Sequence, residues 1–286
     1  MTHTIVQYGK SLNADTDRHP SPALWGNCPI LEFQLKKNGY YFFDDFTGDT
    51  SDITLYTTAT ARGPYLTLQD TGVTITGLAT PSNNDAGQVV GELEIAGNDA
   101  DNDEGQIEGP GGGITPVVSI SDTAGANKEF WFEARVSKAS IADNALAFFI
   151  GIAEVGITGA NGLVDDTGAL ADKDFIGFQT LHAAGETVDA VHREESGAVV
   201  QAGVGVGTMV ADTYMKLGMY FDGTRMYWYV NGVKVAPVAG VLPAATSFPD
   251  ASLMTMAWLT KVGAAAESKT QLDWWGVAQR YSAEAS

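Results

Sequence analysis

Residues 225–235, RMYWYVNGVKV, decide the fold together with residues 216–224, KLGMYFDGT, just before them. Large apolar and aromatic residues alternate here, and successive side chains of a strand point to opposite faces of a sheet. Asn231-Gly232 predicts a type I′ hairpin turn, because both residue types tolerate the positive φ that this turn requires. Asp222-Gly223 predicts a second turn, with a longer loop as the alternative. We therefore expect three consecutive antiparallel strands, at about residues 214–221, 225–230 and 233–235.

The alternation divides the aromatic residues of this stretch between two faces. Met226, Trp228 and Val230 share the face that we expect to line the core, and Tyr227 and Tyr229 share the other with Arg225. Residues 129–137, EFWFEARVS, follow the same pattern. There we expect the inward set to be Phe130, Phe132, Ala134 and Val136, with Glu129, Trp131, Glu133 and Arg135 opposite.

Short β-rich runs separated by Gly, Asn, Asp or Pro continue through the chain from Tyr40 onward. Many strands at modest spacing are typical of an all-β sandwich or barrel. One apolar and one mixed face per strand favours two antiparallel sheets packed face to face. The glycine-rich stretches GPGGG (109–113) and GVGVG (203–207) lack the Gly-Lys-Ser/Thr of a phosphate loop, so we interpret them as flexible turns.

Composition and charge exclude several function classes. The chain has 286 residues with 44% hydrophobic residues, and its 16 basic and 35 acidic side chains give a formal net charge of −19. Such a charge repels the phosphates of nucleic acids and anionic membranes. The single cysteine, Cys28, excludes an internal disulfide. The N-terminus lacks the pattern of a secretory signal, so we expect synthesis in a reducing cytoplasm.

The first 38 residues differ from the rest of the chain. They mix Pro, charge and isolated large apolar residues without the period of a helix or a strand. We interpret residues 1–38 as an extended N-terminal arm and residues 39–286 as one β-sandwich domain. The apolar residues of the arm exceed what free tails usually carry, so either the body of this chain or a neighbouring molecule is expected to bury them. These anchoring residues are Leu24, Trp25, Ile30, Leu31 and Phe33.

Paired carboxylates are the first candidate for chemistry. Glu92 and Glu94 lie on one face of a strand, roughly 7 Å apart, which falls within the spacing that an inverting glycosidase needs. The alternative, which we favour, is that they form the solvated side of a strand whose Leu93 and Ile95 face the core. Glu129 and Glu133 also share a face, but residues i and i+4 of a strand are roughly 13 Å apart, too far to act on one bond.

The acidic run 97–108, GNDADNDEGQIE, is a candidate metal site. Asp99, Asp101 and Asp103 alternate as oxygen ligands of Ca²⁺ do, but Gly and Glu are missing from the sixth and twelfth positions that an EF-hand requires. A solvated loop is the favoured interpretation and a Ca²⁺ site the alternative. Nucleophilic catalysis has little support, since Gly-x-Ser-x-Gly is absent and His182 and His192 are more typical of strands.

Exposed aromatic residues are the remaining candidates for binding. Tyr227 and Tyr229, or one of Trp274 and Trp275, could form a flat platform for a sugar ring or a protein interface. On a sheet face such residues more often serve as cross-strand partners.

The ordered set of these motifs resembles the concanavalin A-like (laminin-G-like) jelly-roll superfamily. The resemblance covers about residues 40 to 283 and lies in KLGMYFDGTRMYWYVNGVKV, FWFEARVSKASIADNALAFFIGIAE, DFIGFQTL and the closing LDWWGVAQRY. Within that superfamily the chain looks like head-associated proteins of tailed bacteriophages, which combine an acidic segment, a Trp-Phe-Glu-Ala-Arg strand and this hairpin.

The resemblance implies a non-enzymatic virion protein, a decoration protein on the capsid exterior that is made in the host cytoplasm. Its partners would be the major capsid protein and neighbouring copies of itself, with a trimer expected by analogy. The alternative is a carbohydrate-binding module displayed on a virion to adhere to host glycans. Glucanases of the superfamily carry Glu-x-Asp-x-Glu on one strand, and the run Glu92 to Ala96 lacks the third carboxylate. The metal-ligand and sugar-binding residues of the lectins cannot be placed in this chain, so neither a catalytic residue nor a cofactor is expected.

Overall fold

The computed structural model describes residues 18–35, 38–46, 60–62, 65–78, 91–97, 101–110, 118–120, 128–158, 161–235, 237, 240, 247–249, 253–263 and 268–281. Two short helices come first, α1 (Pro22–Trp25) and α2 (Ile30–Gln34). The strands up to the middle of the chain are β1 (Gly39–Asp44), β2 (Thr60–Arg62), β3 (Tyr65–Gln69), β4 (Val73–Leu78), β5 (Glu92–Gly97), β6 (Glu104–Gly109), β7 (Val118–Ser119), β8 (Phe130–Lys138) and β9 (Leu146–Glu154). The later strands are β10 (Phe175–Leu181), β11 (Ala184–Arg193), β12 (Val200–Thr208), β13 (Met215–Phe221), β14 (Met226–Val230), β15 (Val233–Lys234), β16 (Leu253–Val262) and β17 (Ser268–Arg280).

These strands form two antiparallel sheets, which confirms the predicted all-β jelly-roll sandwich. Sheet A has the order β15-β14-β13-β8-β17-β5-β4, and β1 pairs with the second half of β17. Sheet B has the order β12-β11-β10-β9-β16-β6-β3-β2, and β7 pairs with β16. The chain passes repeatedly from one sheet to the other, as from β8 to β9 and from β16 to β17. No helix among the described residues is long and apolar enough to cross a bilayer.

The hairpin region folds as its alternation predicts. β13 pairs with β14, and β14 with β15, in consecutive antiparallel register. Asn231 and Gly232 have φ angles of 48° and 75°, as the predicted turn requires. Trp228 is buried in the core between the sheets, with Met226 and Val230 beside it. Burying a large apolar side chain contributes on the order of 1.5–3 kcal/mol, so this inward set stabilises the packing of the sheets substantially.

The inward residues of β8 are also those expected from alternation, and Phe130, Phe132, Ala134 and Val136 all join the core. Lys138 ends the same strand on the same side. Its ammonium group is buried and donates to the backbone carbonyls of Leu146 and Gly185, at the starts of β9 and β11. This buried lysine therefore ties β8 of sheet A to sheet B.

Two predictions about loops were wrong. The stretch 203–207, expected to be a flexible turn, lies within β12, where Gly203 and Gly207 pair with β11 and the N–H of Gly205, in the irregular part between them, donates to Asp189. The end of the acidic run, residues 104–108, was expected in a solvated loop and lies within β6, between β3 and β16. In both cases pairing with a neighbouring strand overrides the weak β propensity of Gly and acidic residues.

Candidate functional site

Residues 18–35, here called the N-terminal segment, lie on the outer face of sheet A. The sequence predicted an extended arm, but this part of it contains α1 and α2, which pack against β13, β1 and β17 of their own chain. Residues 1–17 of the predicted arm lie outside the described residues. Leu24, Trp25 and Phe33 are buried in a cluster with Trp131 of β8 and Ala278 of β17. Packing against the sheet, which a periodicity argument does not include, allows helices this short to form.

Ile30 and Leu31, which were also expected to anchor the arm, are less buried than Leu24, Trp25 and Phe33. Ile30 is half-buried against the same cluster. Leu31 is 70% exposed, so the body of this chain does not bury it, and its burial by a neighbouring molecule stays a prediction. α2 turns Phe33 toward the sheet, and Leu31 points away from it, because residues two apart on a helix lie on different sides.

Buried polar groups of the sheet bind the segment specifically. Glu133 of β8 accepts hydrogen bonds from the backbone N–H of Ser21 and the indole N–H of Trp25, both at 2.8 Å. Burial raises the pKa of the Glu133 carboxyl, and these donors together with Lys216 oppose the rise. Lys216 of β13 donates to the carbonyl of His19 at 3.2 Å. The face thus offers matched donors and acceptors to the backbone of the segment.

Asp273 provides a second anchor for the segment. It lies at a bulge of β17, where the register shifts between Leu272 and Trp274. Its buried carboxylate accepts hydrogen bonds from Arg18 of the segment, through Nε at 2.7 Å, and from Arg135 of β8. Two guanidinium groups thus neutralise one buried carboxylate, and one of them belongs to the segment.

Glycines make room for the segment on the sheet. A Cβ added at Gly218 of β13 would lie 2.6 Å from the Leu24 side chain, and one at Gly39 of β1 would lie 2.4 Å from the Phe33 ring. Both distances are well below van der Waals contact. The surface is therefore complementary to the segment in shape as well as in hydrogen bonding.

The predicted aromatic platform is only partly available. Tyr227 and Tyr229 lie on the outer face of sheet A, as expected, and both are half-buried. Tyr229 packs against the cluster under the N-terminal segment. The ammonium group of Lys234 lies 3.5 Å from the centroid of the Tyr227 ring, so it covers one face of that ring. Trp274 and Trp275 are both buried and form no platform.

The pair Glu92 and Glu94 lies on the outer face of β5, with Leu93 and Ile95 in the core. Glu94 binds Gln271 and Lys269, each at 2.9 Å. Glu92 is fully buried, so the favoured interpretation of both residues as a solvated side is wrong for Glu92. A fully buried Glu92 also cannot reach a glycosidic bond in solvent, so the geometry does not support this pair as a catalytic one.

A closer match to the glucanase pattern lies on β6 and was missed in the sequence. Glu104-Gly105-Gln106-Ile107-Glu108 keeps both glutamates of Glu-x-Asp-x-Glu and has Gln in place of the central Asp. All three polar side chains lie on the outer face of sheet B, since Ile107 points into the core. The strict alternation of these polar residues with Gly105 and Ile107 indicates a strand. The neighbouring aspartates are typical of a loop, and the run was therefore interpreted as one.

The loop between β9 and β10, residues 155–174, covers these carboxylates. Glu108 is 0% exposed and accepts hydrogen bonds from the N–H of Gly156 at 2.6 Å and from the N–H and hydroxyl of Thr158 at 3.2 and 2.9 Å. Glu104 is 3% exposed and accepts from the N–H groups of Gly162 and Leu163, both at 3.2 Å. Both carboxylates therefore serve as acceptors for the backbone of the loop.

Apolar packing closes the same surface. Ile157, Leu163 and Leu170 of the β9–β10 loop are buried against a group on sheet B that includes Phe149, Phe175, Val191, Ala257 and Leu259. Lys261 of β16 adds an ion pair with Glu104 at 3.2 Å and another with Asp165 of the loop at 2.8 Å. Burial raises the pKa of Glu104, and Lys261 opposes the rise. A substrate could reach these side chains only if the loop left the sheet.

The proposed Ca²⁺ ligands do not converge among the residues that the structure describes. Asp99 lies outside that part of the chain. Asp103 accepts the N–H of Gly72 at 2.6 Å, and the neighbouring Asn102 pairs with Asp166. Within the described ranges no group of three or more His, Cys, Asp or Glu side chains is arranged to hold a metal ion.

His182 and His192 each contact a backbone carbonyl, and Cys28 is half-buried. His182 contacts the carbonyl of Lys261 at 3.2 Å, and His192 contacts the carbonyl of Ser247 at 2.9 Å. Burial lowers the pKa of His192. Burial also raises the pKa of the Cys28 thiol to about 12, which keeps it protonated and unreactive near neutral pH.

Comparison with known proteins finds likeness in structure only. No protein-family profile matches the sequence, and neither does any curated protein. A protein of unknown function, SO2946 from Shewanella oneidensis MR-1, is similar with a TM-score of 0.53 and 13% identity over 90% of this chain and 96% of that one. Peanut lectin follows with a TM-score of 0.49 and 14% identity over 84% and 97%, and a GH16 protein of Bacteroides ovatus with 0.46 and 12% over 82% and 99%. At these identities the likeness concerns the fold alone.

Proposed function

We propose that this chain is a non-enzymatic structural protein of a tailed-bacteriophage virion, attached as a decoration protein to the outer surface of the capsid. The proposal that the chain is not an enzyme rests on the burial and the hydrogen bonds of Glu108. This carboxylate is 0% exposed, and the β9–β10 loop supplies its hydrogen-bond donors. A catalytic acid or base must reach the proton that it transfers, and a residue held in this way does not.

The virion role rests on the resemblance of the ordered motifs to phage head proteins. The net charge of −19 supports an exterior position, because the same charge inside a capsid would repel the packaged genome. The partners would be the major capsid protein and neighbouring copies of this chain.

Co-sedimentation tests the attachment. The purified full chain is mixed with undecorated heads of the phage that encodes it, and with heads already saturated with the unlabelled chain as the control. We expect a saturable fraction in the pellet with the undecorated heads only. Equal recovery from both preparations, or none from either, would contradict the proposal.

Hydrolysis assays test the non-catalytic part. The wild-type chain and the double variant Glu104→Gln/Glu108→Gln are incubated with β-1,3-glucan and mixed-linkage glucan. We expect no release of reducing ends from either protein. Release by the wild type that disappears in the double variant would show that the loop opens and that the chain is a glycosidase.

Carbohydrate binding is the alternative, and the partial exposure of Tyr227 is the observation that favours it. A sugar ring would have to displace the Lys234 ammonium from the ring face or stack beside it. On a glycan array, binding by the wild type that is lost in Tyr227→Ala, at an unchanged melting temperature, would support this alternative. An array without binding would exclude it for the glycans tested.

A further inference from the structure

Asn-Gly pairs carry a chemical reactivity of their own. The backbone nitrogen of the glycine can attack the side-chain amide of the asparagine, because glycine has no Cβ to hinder the approach. The ring that forms is a succinimide, and the nitrogen of the side-chain amide leaves as ammonia. The chain contains three such pairs, at Asn38, Asn161 and Asn231, and the asparagine is exposed in each. Exposure therefore does not distinguish the three pairs, but their hydrogen bonds do.

The pair Asn231-Gly232 is held by the hairpin turn between β14 and β15. The side-chain oxygen of Asn231 accepts the backbone N–H of Lys216 at 2.9 Å, and the backbone N–H of Asn231 donates to the carbonyl of Lys216 at 2.8 Å. Rotation of the Asn231 side chain toward the nitrogen of Gly232 would break the first of these hydrogen bonds. The turn therefore opposes ring closure at this pair.

The pair Asn38-Gly39 is held by sheet A. Gly39 is the first residue of β1 and pairs with Arg280 of β17. The side-chain amide of Asn38 donates to Glu32 at 3.3 Å, and the backbone carbonyl of Asn38 accepts the N–H of Tyr281 at 2.8 Å. Ring closure here would pull Gly39 out of register with β17.

The pair Asn161-Gly162, in the β9–β10 loop, differs from both. Across the ranges that the structure describes, no residue forms a hydrogen bond with the Asn161 side chain. Gly162 is needed for packing, since a Cβ added there would lie 3.0 Å from Oε1 of Glu104 and 3.1 Å from the Leu259 side chain. The fold thus requires the glycine and leaves the asparagine able to turn toward it.

Glu104 is placed as a base for the attack. The N–H of Gly162 donates to Oε1 of Glu104 at 3.2 Å, so the attacking nitrogen is bonded to a carboxylate and not to a strand partner. Burial raises the pKa of Glu104, although Lys261 opposes the rise. A carboxylate whose pKa lies nearer to the working pH is a better general base.

We propose that Asn161 is a self-modification site, at which Glu104 promotes attack by the nitrogen of Gly162 on the side-chain amide. A bond forms between this nitrogen and the side-chain carbonyl carbon, and the bond from that carbon to the amide nitrogen breaks. The proton of Gly162 passes through Glu104 and water to the departing nitrogen, which leaves as ammonia. Water then opens the succinimide at either carbonyl and gives aspartate or isoaspartate at position 161. Water is the only co-reactant in these steps.

Isoaspartate at position 161 releases the β9–β10 loop from β6. Its main chain runs through the former side-chain carbon and is longer by a methylene group. The N–H groups of Gly162 and Leu163, both 3.2 Å from Glu104, are then displaced, and Leu259 blocks their movement toward the sheet. The product also adds a carboxylate close to Glu104, and like charges repel strongly at short range. This inference does not depend on the virion role, and it is tested on the purified chain.

Peptide mapping tests the choice of site. The chain is incubated at mildly alkaline pH, and samples are quenched in acid, digested with pepsin and analysed by mass spectrometry. We expect the peptide containing Asn161 to lose its side-chain amide several-fold faster than peptides containing Asn38 or Asn231. In urea the three rates should be similar, because the fold no longer distinguishes the pairs. The proposal would be overturned by conversion at position 161 that is no faster than at the other two, or by a lead that persists in urea.

Two variants test the role of Glu104. Glu104→Gln keeps the size of the side chain and an acceptor for Gly162 but removes the base. Glu108→Gln loosens the same loop and leaves Glu104 in place. We expect conversion at position 161 to slow several-fold in Glu104→Gln and not in Glu108→Gln. Unchanged or faster conversion in Glu104→Gln would overturn the role of this carboxylate as the base.

Hydrogen–deuterium exchange tests the release of the loop. The modified chain carries an additional negative charge, so anion exchange separates it from the unmodified chain. We expect peptides containing Gly156 and Leu163 to exchange faster in the modified form. Asn161→Gln, incubated in the same way, is the control that should keep slow exchange, because its longer side chain closes the ring much more slowly. Equal exchange in the two separated forms would overturn the release of the loop.

Discussion

The carboxylate of Glu133 accepts the indole N–H of Trp25 at 2.8 Å, although 108 residues separate the two in the sequence. The same carboxylate accepts the N–H of Ser21. One acidic residue of β8 thus positions the start and the end of α1 on sheet A. On the opposite sheet, Glu104 and Glu108 do the same for the β9–β10 loop. Carboxylates that could face a ligand in an open sandwich here hold the chain against itself.

Replacing Glu133 should release the N-terminal segment. In Glu133→Ala the Ser21 and Trp25 donors lose a charged acceptor, and we expect the free energy of unfolding to fall by about 2–3 kcal/mol. Chymotrypsin should also cleave the folded variant at Trp25 much faster than the wild type. Glu32→Ala, an exposed residue in the same segment, is the matched control. Equal cleavage rates in the wild type and Glu133→Ala would show that the contact does not hold the segment.

Leu24 and Gly218 should behave as a coupled pair. Gly218→Val places atoms where the Leu24 side chain lies, so we expect a loss of roughly 1–3 kcal/mol in the free energy of unfolding. Leu24→Ala should cost on the order of 2–3 kcal/mol as a buried truncation. In the double variant the added side chain fills the space that Leu24 vacates, so the two losses should not add. Strict additivity in urea denaturation would mean that the two residues are not in contact.

Glu108 should control the β9–β10 loop. Glu108→Gln retains the size of the side chain but loses a charged acceptor for Gly156 and Thr158, so we expect a loss of about 1.5–3 kcal/mol in urea denaturation. Glu195→Gln changes an exposed carboxylate that pairs with Lys173, and such surface pairs contribute at most about 1 kcal/mol. Similar losses for the two variants would contradict the role assigned to Glu108.

Lys138 should make the free energy of unfolding depend on pH in the alkaline range. Burial lowers the pKa of Lys138 from 10.5 to about 8, with Glu186 and Asp143 opposing the shift. Between these values the unfolded chain binds more protons than the folded one, so this group makes the free energy of unfolding rise with pH. Lys138→Met lacks that rise. The free energies of unfolding of wild type and variant are measured by urea denaturation at pH 7, 8, 9 and 10. The value for wild type minus that for the variant should increase as the pH rises above about 8, and a constant difference would refute the prediction.

Alternation alone predicted a large part of the fold, because it reports which side of a strand is apolar. It placed Trp228 and Phe132 in the core correctly, and it identified the Asn231-Gly232 turn. Alternation could not predict which residues cover the outer face of the sheet. Trp131 and Glu133 were assigned correctly to the outer face, but their complete burial depends on a segment more than 100 residues away.

The polar residues on the outer face of β6 were missed in the sequence for a different physical reason. Glu104, Gln106 and Glu108 alternate as strand residues do, but a strand of acidic residues and glycine has low intrinsic β propensity. Tertiary contacts stabilise this segment as a strand. β3 and β16 pair with it on both sides, and the β9–β10 loop supplies hydrogen-bond donors to its carboxylates. Such tertiary contacts are not visible in a local pattern.

The most direct test of the central claim, that the chain itself covers Glu133 on sheet A and both Glu104 and Glu108 on sheet B, is hydrogen–deuterium exchange of the purified chain read by mass spectrometry. The amides of Ser21, Gly156, Thr158, Gly162 and Leu163 all donate to buried carboxylates. We predict that peptides containing them exchange as slowly as those from the central strands β8 and β9. Complete exchange of these peptides at the shortest labelling time would contradict the claim, because it would mean that these carboxylates are open to solvent.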